Sequence, residues 1–310
     1  MPQGSTRINK PLSNISVQYR NENYIARDVL KDIIVNKESD LYWVHNSNFR
    51  LEETARANGS PANMATISFS TSSYRAQEQA LKDVITETDA ANTDAPLNLQ
   101  RDITEYLTDQ ILLKHEVDAM TLLFTTTTFS NNVTLTTATT WNYAATTTAD
   151  PIGDVLSATG VILAASAQMP NKLVVGWSTF EVLKENQNIH ERVKYVQKSI
   201  VTKELLASLF DLEQVHVGTA IRDSAKEGAT ENQGFIWGAD AMLGYFAPRP
   251  GIKTKTAAAT FRVSRKGNPM RVRRWYEDDI EGTFIEVSTK YDMKAIATAC
   301  GFLFKTVNLI

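Results

Sequence analysis

The chain holds a single cysteine, Cys300, so no intramolecular disulfide can form and a reducing compartment is expected. It has no unbroken apolar run long enough to cross a bilayer as a helix. Residues 1–20 lack the apolar centre of a secretory signal, so none is expected there. Neither sign of charge dominates: 32 basic and 35 acidic side chains leave −3 over 310 residues. A dedicated nucleic-acid binder would carry a clear positive excess. With 43% hydrophobic and 22% charged residues, the balance is that of a globular chain. These shortages exclude a disulfide-rich secreted scaffold, a membrane-spanning helix and a zinc–cysteine domain.

Catalytic motifs are missing too. His190-Glu191 opens like a zinc-protease helix, but Lys194 stands where the second metal histidine must be, and an ammonium cannot ligate. Gly176-Trp177-Ser178 resembles the start of a nucleophile elbow, yet Phe180 takes the place of the closing glycine. No phosphate-binding loop or dinucleotide fingerprint occurs. His45, His115, His190 and His216 are scattered, and His115, beside Glu116 on an expected helix, reads as a packing or surface residue. Cys300, in an apolar stretch, reads as a buried inert thiol. Glu277, Asp278, Asp279 and Glu281 could hold a hard cation, but their place between two expected strands favours a solvated turn. No catalytic, cofactor or metal site is therefore expected.

What is present is an ordered series of elements. Because a single core stops growing near roughly 250–300 residues, two or more compact subregions are expected. Residues 1–20 carry Arg7, Lys10 and Arg20 without an acid and read as an extended arm that needs another surface. Ile25, Val29, Ile33 and Ile34 suggest a short helix over residues 23–35. Phe49 and Leu51, then Ile67 and Phe69, alternate with polar residues around the turn Asn58-Gly59-Ser60-Pro61. This predicts a long hairpin over residues 44–71, too thinly apolar to stand alone. Helical spacing recurs over residues 75–86, and over residues 97–124 it predicts a spine about 42 Å long at 1.5 Å per residue.

Residues 119–149 contain no charge and are rich in threonine, which suits strands and loops, or a low-complexity surface loop. Asp150-Pro151 predicts a helix start, and Ser178 with Glu181 a capping box. Strands are expected at residues 172–176, 213–217, 260–263, 270–276, 284–291 and 295–304, with sheet over 235–246 and a helix over 199–210. The fold class is α+β. Arg262, Arg265, Lys266, Arg271, Arg273 and Arg274 form the marked charge feature. Such a cluster could contact phosphates, but pairing with acids of a neighbouring element or subunit is the favoured reading.

This order resembles the major capsid proteins of tailed bacteriophages, the Hong Kong 97 type of fold. The resemblance covers nearly the whole chain and is carried by residues 74–124, residues 235–248 with Ile236-Trp237-Gly238, and residues 275–304. It implies an N-terminal arm (1–43), an extended hairpin loop over a neighbouring subunit (44–71), and a peripheral domain. The first part of that domain is 72–168, with the spine helix at 97–124; an axial domain (169–259) and further peripheral strands (260–310) follow.

The implied function is an icosahedral shell of pentamers and hexamers around double-stranded DNA. It would assemble in the host cytoplasm, with scaffolding, cement and portal proteins as partners and no membrane. Arg7, Lys10, Arg50, Glu52, Glu53, Arg56, Arg271, Arg273 and Arg274 are the subunit-interface candidates. Some relatives lock their shells through a loop lysine, but no lysine lies between Lys37 and Lys82, so a non-covalent shell is expected. About forty residues precede the hairpin, which leads to the expectation of a separate scaffold or none. An encapsulin shell resembles the same fold. A tail or fibre protein, or an enzyme using Asp278 and Glu281, are the readings from other classes.

Overall fold

A computed structural model describes residues 24–44, 51–56, 58–64, 70–92, 98–136, 139–142, 149–194, 201–226, 228–264, 268–305 and 307. The longest strand, β13 (Gly282–Ala295), organises the first sheet. On one side it pairs antiparallel with β4 (Gln77–Thr86) along the whole of that strand. On the other it pairs with β12 (Met270–Glu277) and then β11 (Ala258–Val263), both antiparallel. β1 (Asp32–Val35) runs parallel to β11.

Two sequence expectations give way here. Residues 75–86 form strands, although Ala76, Ala80, Leu81, Val84 and Ile85 have helical spacing. A continuous backbone ladder to β13 outweighs that local preference, and only the end of the run, at Ile85, is buried in β4. Likewise the helix expected over residues 23–35 shrinks to α1 (Ala26–Val29), after which Ile33 enters β1 and Ile34 faces outward. Asp278–Ile280 make a 3₁₀ turn between β12 and β13, ending on Glu281 at φ +48°, so the acidic group is an exposed connection.

The second sheet runs β5 (Asn132–Thr134), β14 (Gly301–Lys305), β10 (Ala241–Gly244), β6 (Lys172–Gly176), β7 (Gln214–Gly218). The outer pairs β5/β14 and β6/β7 are parallel and the inner pairs antiparallel. One face packs on α4 (Pro151–Ser166), α5 (Trp177–Glu185), α6 (Gln187–Val193) and α7 (Lys203–Leu209) through Ile162, Leu183, Ile189, Leu206 and Phe304. Residues 151–166 and 301–305, which the resemblance groups with the peripheral unit, pack here with strands it groups with the axial one. Their apolar faces complete the second sheet's core, which β6, β7 and β10 alone would leave uncovered.

A short helix, α2 (Glu87–Ala91), precedes α3 (Leu99–Leu123), which connects the two halves. Asn98 caps it, its side chain accepting the Arg101 N–H at 3.2 Å. At 25 residues α3 is about 38 Å long. Its first turns pack Leu107 and Ile111 against Val272, Ile285 and Val287 of the first sheet. Its last turns pack Ala119 and Leu123 against Val174, Met242 and Leu303 of the second. Thr104 and Thr108, also buried on this helix, return their hydroxyls to carbonyls one turn back, at 2.6 Å. Among the described residues no helix is long and apolar enough to cross a membrane.

The expected capping box at Ser178 is not used. Helix α5 begins at Trp177 with Gly176 at its N-cap. A Cβ on Gly176 would lie 2.2 Å from the Gly238 carbonyl oxygen, so the crowded backbone there admits only glycine.

Candidate functional site

The expected interface residues Glu52, Glu53 and Arg56 follow a two-stranded ribbon, β2 (Ser39–Val44) with β3 (Ser70–Arg75). Its register runs from Ser39 opposite Arg75 to Val44 opposite Ser70, so the chain departs at Val44 and returns at Ser70. The ribbon is anchored by aromatic packing: Tyr74 stacks on Phe261 with centroids 4.6 Å apart, and Tyr42 lies 5.1 Å from the same ring.

Beyond the ribbon, residues 51–56 and 58–64 form neither strand nor helix. Leu51 is therefore not in the strand its alternation suggested; Phe49, Ile67 and Phe69 lie outside the described residues. Leu51 and Met64 are each 92% exposed. Within the loop the Glu53 carboxylate accepts the Ala55 N–H at 2.9 Å, and the Asn63 amide donates to the Glu53 carbonyl at 2.8 Å. Glu52, Glu53 and Arg56 are exposed, while Arg7, Lys10 and Arg50 lie outside the described residues.

Two buried polar clusters hold the surrounding frame. Glu116, in the middle of α3, accepts the N–H groups of Ile25 and Ala26 at 2.9 Å each and the Trp237 indole N–H at 2.6 Å. Burial raises its carboxyl above the usual range, while these three donors oppose the rise. One turn of chain thus pins the start of α1 and the loop before β10 to the same helix. Gly218 is required beside it, since a Cβ there would stand 2.0 Å from the Trp237 ring.

The second cluster surrounds Arg262, 1% exposed. Its Nε donates to Asp32 at 2.8 Å and its Nη1 to the Thr289 hydroxyl at 3.0 Å, and its Nη2 lies 3.1 Å from His115 Nε2. Its guanidinium lies over the Tyr291 ring at 5.5 Å. Burial, then the positive charges of Arg262 and Arg27, hold the His115 imidazole well below its usual range. Burial and Asp118, which accepts the Tyr291 hydroxyl at 2.9 Å, push that phenol upward.

The remaining basic residues also find partners in their own chain. Arg271 lies 3.5 Å from Glu78 on β4 and 3.9 Å from Glu286 on β13. Arg273 stands directly opposite Glu286 in the β12/β13 register and donates to it through Nε at 3.0 Å. Arg274 donates to Gln100 of α3 at 3.0 Å. Arg265 and Lys266 lie outside the described residues. The structure brings Arg271 and Arg273 together at Glu286. Sequence reasoning missed Glu116 and the buried place of Arg262. Each looked like one more charge in a charged stretch, and no spacing distinguishes a carboxylate that accepts backbone N–H groups from 90 residues away.

Among the described residues no group of three or more histidine, cysteine, aspartate or glutamate side chains could hold a metal ion. Cys300 is buried, and burial pushes its thiol upward, away from the reactive thiolate.

A sheet with an excursive ribbon, a long helix bridging two cores, and a second sheet flanked by short helices define a shell-forming class of protein, and comparison with known proteins gives the family. The family model of phage major capsid protein E matches residues 104–291, more than half of the chain, and the chain belongs to that family. It is a phage major capsid protein, a component of the virion capsid. The major capsid protein of Burkholderia phage BcepMu is 24% identical over 97% of both sequences. A phage-related protein of Bordetella bronchiseptica RB50 superposes with a TM-score of 0.79 at 21% identity, covering 99% of each chain. The mature capsid of bacteriophage PhiM1 gives 0.60 at 10% identity, over 94% of this chain and 90% of that one. The architecture is the Hong Kong 97-like capsid fold.

Proposed function

We propose that copies of this chain assemble through pentamers and hexamers into a closed icosahedral shell around double-stranded phage DNA. The observation that carries the reading lies between Val44 and Ser70: Leu51 and Met64 stand almost fully in water on residues 51–56 and 58–64, which form neither strand nor helix. Apolar side chains on such an excursion gain free energy only when another surface covers them. The loop then lies over a neighbouring subunit, with Glu52, Glu53 and Arg56 at its contacts, joined by Arg50, Arg7 and Lys10. The first sheet with the N-terminal half of α3 serves as the peripheral unit, and the second sheet with α4 to α7 as the axial unit. The role is mechanical, without a catalytic step. Many weak contacts summed over a closed lattice resist the pressure of packed DNA. Cement and portal proteins, with a separate scaffold or none, complete assembly in the host cytoplasm.

Electron microscopy of the particle fraction from a sucrose gradient, with its nucleic-acid to protein absorbance ratio, tests this. Closed shells with DNA are expected; shells filled with one protein would mean an encapsulin, and a small monodisperse species would overturn the reading. Boiled in denaturant with reductant, the particles should release one band near 34.5 kDa. A ladder of multiples would show covalent locking.

A further inference from the structure

The turn Asn58-Gly59-Ser60-Pro61 holds the one Asn-Gly pair of the chain, and the shell reading gives that pair no role. Asn58 and Gly59 are both exposed and belong to neither strand nor helix. Gly59 sits at φ +85°, and a Cβ built on it would meet nothing within 4 Å, so the space beside it is open. Among the described residues, neither the Asn58 amide nor the Gly59 N–H is held by a hydrogen bond. Other asparagines are tied down. Asn63, also in this loop, donates to the Glu53 carbonyl at 2.8 Å, and Asn98 accepts the Arg101 N–H at 3.2 Å. The buried Asn171 amide bonds to both the carbonyl and the N–H of Phe246.

An asparagine side chain carries an electrophilic carbon that can close a five-membered ring with the next backbone nitrogen. Glycine in that next place adds no side chain to hinder the approach, and its backbone turns freely into the ring geometry. We propose that Asn58 is a site of self-modification, converting to aspartate and isoaspartate through a cyclic imide. The Gly59 nitrogen gives up its proton to base and attacks the side-chain carbonyl carbon of Asn58. A C–N bond forms there, the bond to the side-chain nitrogen breaks, and that nitrogen leaves as ammonia with the proton returned. One water then opens the imide. Addition at the side-chain carbonyl gives aspartate. Addition at the main-chain carbonyl gives isoaspartate, whose main chain runs through the former side chain and is one methylene longer. The balance is one water in and one ammonia out, with no oxidant or reductant. Either product adds a negative charge to a loop that already carries Glu52 and Glu53. This chemistry goes beyond the shell reading and does not rest on it, since it needs only this chain and water.

Peptide mapping of the full-length protein tests this, after ageing the folded subunit in mildly alkaline heavy-oxygen water and digesting it at acid pH. The peptide containing Asn58 should show the mass of an acid in place of an amide, with one heavy oxygen. It should separate into two forms, one of them a substrate for an isoaspartyl methyltransferase. Asn58 should react faster than Asn63 and Asn98. Labelled aspartate without isoaspartate would mean direct hydrolysis of the amide and overturn the proposal, as would an Asn58 that reacts no faster than those two. Unfolding separates the turn's geometry from the bare Asn-Gly sequence. In urea the Asn58 rate should stay within about tenfold of the folded rate, because the folded turn already leaves both reacting groups free. A larger rise on unfolding would show that the fold holds the amide away from the Gly59 nitrogen, and would equally overturn it.

Discussion

The Glu116 carboxylate accepts the Trp237 indole N–H at 2.6 Å, and with its two oxygens also holds the N–H groups of Ile25 and Ala26. Residues 91, 90 and 121 positions apart thus converge on one side chain. Phe124, the C-cap of α3 and about two turns beyond Glu116, meets the Trp237 ring edge-on at 5.3 Å, so the polar contact sits inside an apolar cluster that excludes water.

Removing this acceptor should destabilise the subunit. Glu116→Ala leaves three buried donors without a partner, at about 1–3 kcal/mol each and less than additive. We expect a loss of roughly 3–6 kcal/mol in urea unfolding of unassembled subunits. Glu116→Gln keeps one accepting oxygen and should fall between the parent and Glu116→Ala. A Glu116→Ala subunit within 1 kcal/mol of the parent would show that water or a shifted side chain replaces the carboxylate.

The pH dependence of stability should carry the mark of His115. Its folded imidazole is held far below the ordinary 6.5 by burial and by Arg262 and Arg27. Below pH 6.5 the unfolded chain takes up a proton that the folded chain refuses, so this contribution is complete above 6.5 and is lost as pH falls. His216, lowered to about 4 chiefly by burial, has the same sign between pH 6.5 and 4. Glu116 has the opposite sign: raised from 4.5, its contribution is complete below 4.5 and lost as pH rises through the folded value. Comparing the parent with His115→Gln cancels the other groups, and the glutamine oxygen can still accept from Arg262. The stability slope between pH 6.5 and 5 should flatten by up to about 1.4 kcal/mol per pH unit. Parallel slopes in the two proteins would show that His115 takes up its proton while folded.

How far these features could be read from the chain depended on how local their causes are. The α3 spine was legible to within two residues at each end, because its packing repeats with the helical period and Asn98 caps it. β12 and β13 were legible through Val, Ile and Phe content around an acidic turn. The β4 strand was not, because Gln77 to Thr86 owe their conformation to a ladder with residues 200 positions away. Glu116 and Arg262 were illegible for the same reason. A buried charge is stabilised by donors and acceptors brought together in space, and neither residue's neighbours in sequence supply them. The absence of strand and helix at residues 51–56 and 58–64 has the reverse cause, a polar turn with too few apolar residues to fold alone, although the strand expected at Leu51 did not form.

That deficit gives the last prediction. Leu51 and Met64 touch little of their own subunit, so replacing either should barely change its folding, within about 0.5 kcal/mol. If the loop grips a neighbour, each apolar side chain is buried there, at about 1.5–3 kcal/mol per contact, and the contact recurs at every copy of the lattice. Leu51→Asp and Met64→Asp should therefore leave the urea midpoint unchanged but sharply reduce closed shells in electron micrographs, with subunits accumulating at the top of the gradient. Arg56→Glu should do less, since an exposed ion pair contributes about 0–1 kcal/mol, and its effect should shrink further at high salt. Normal shell yield from the Leu51→Asp, Met64→Asp double variant would remove the loop from the assembly contacts, and would assign the grip to surfaces on the two sheets instead.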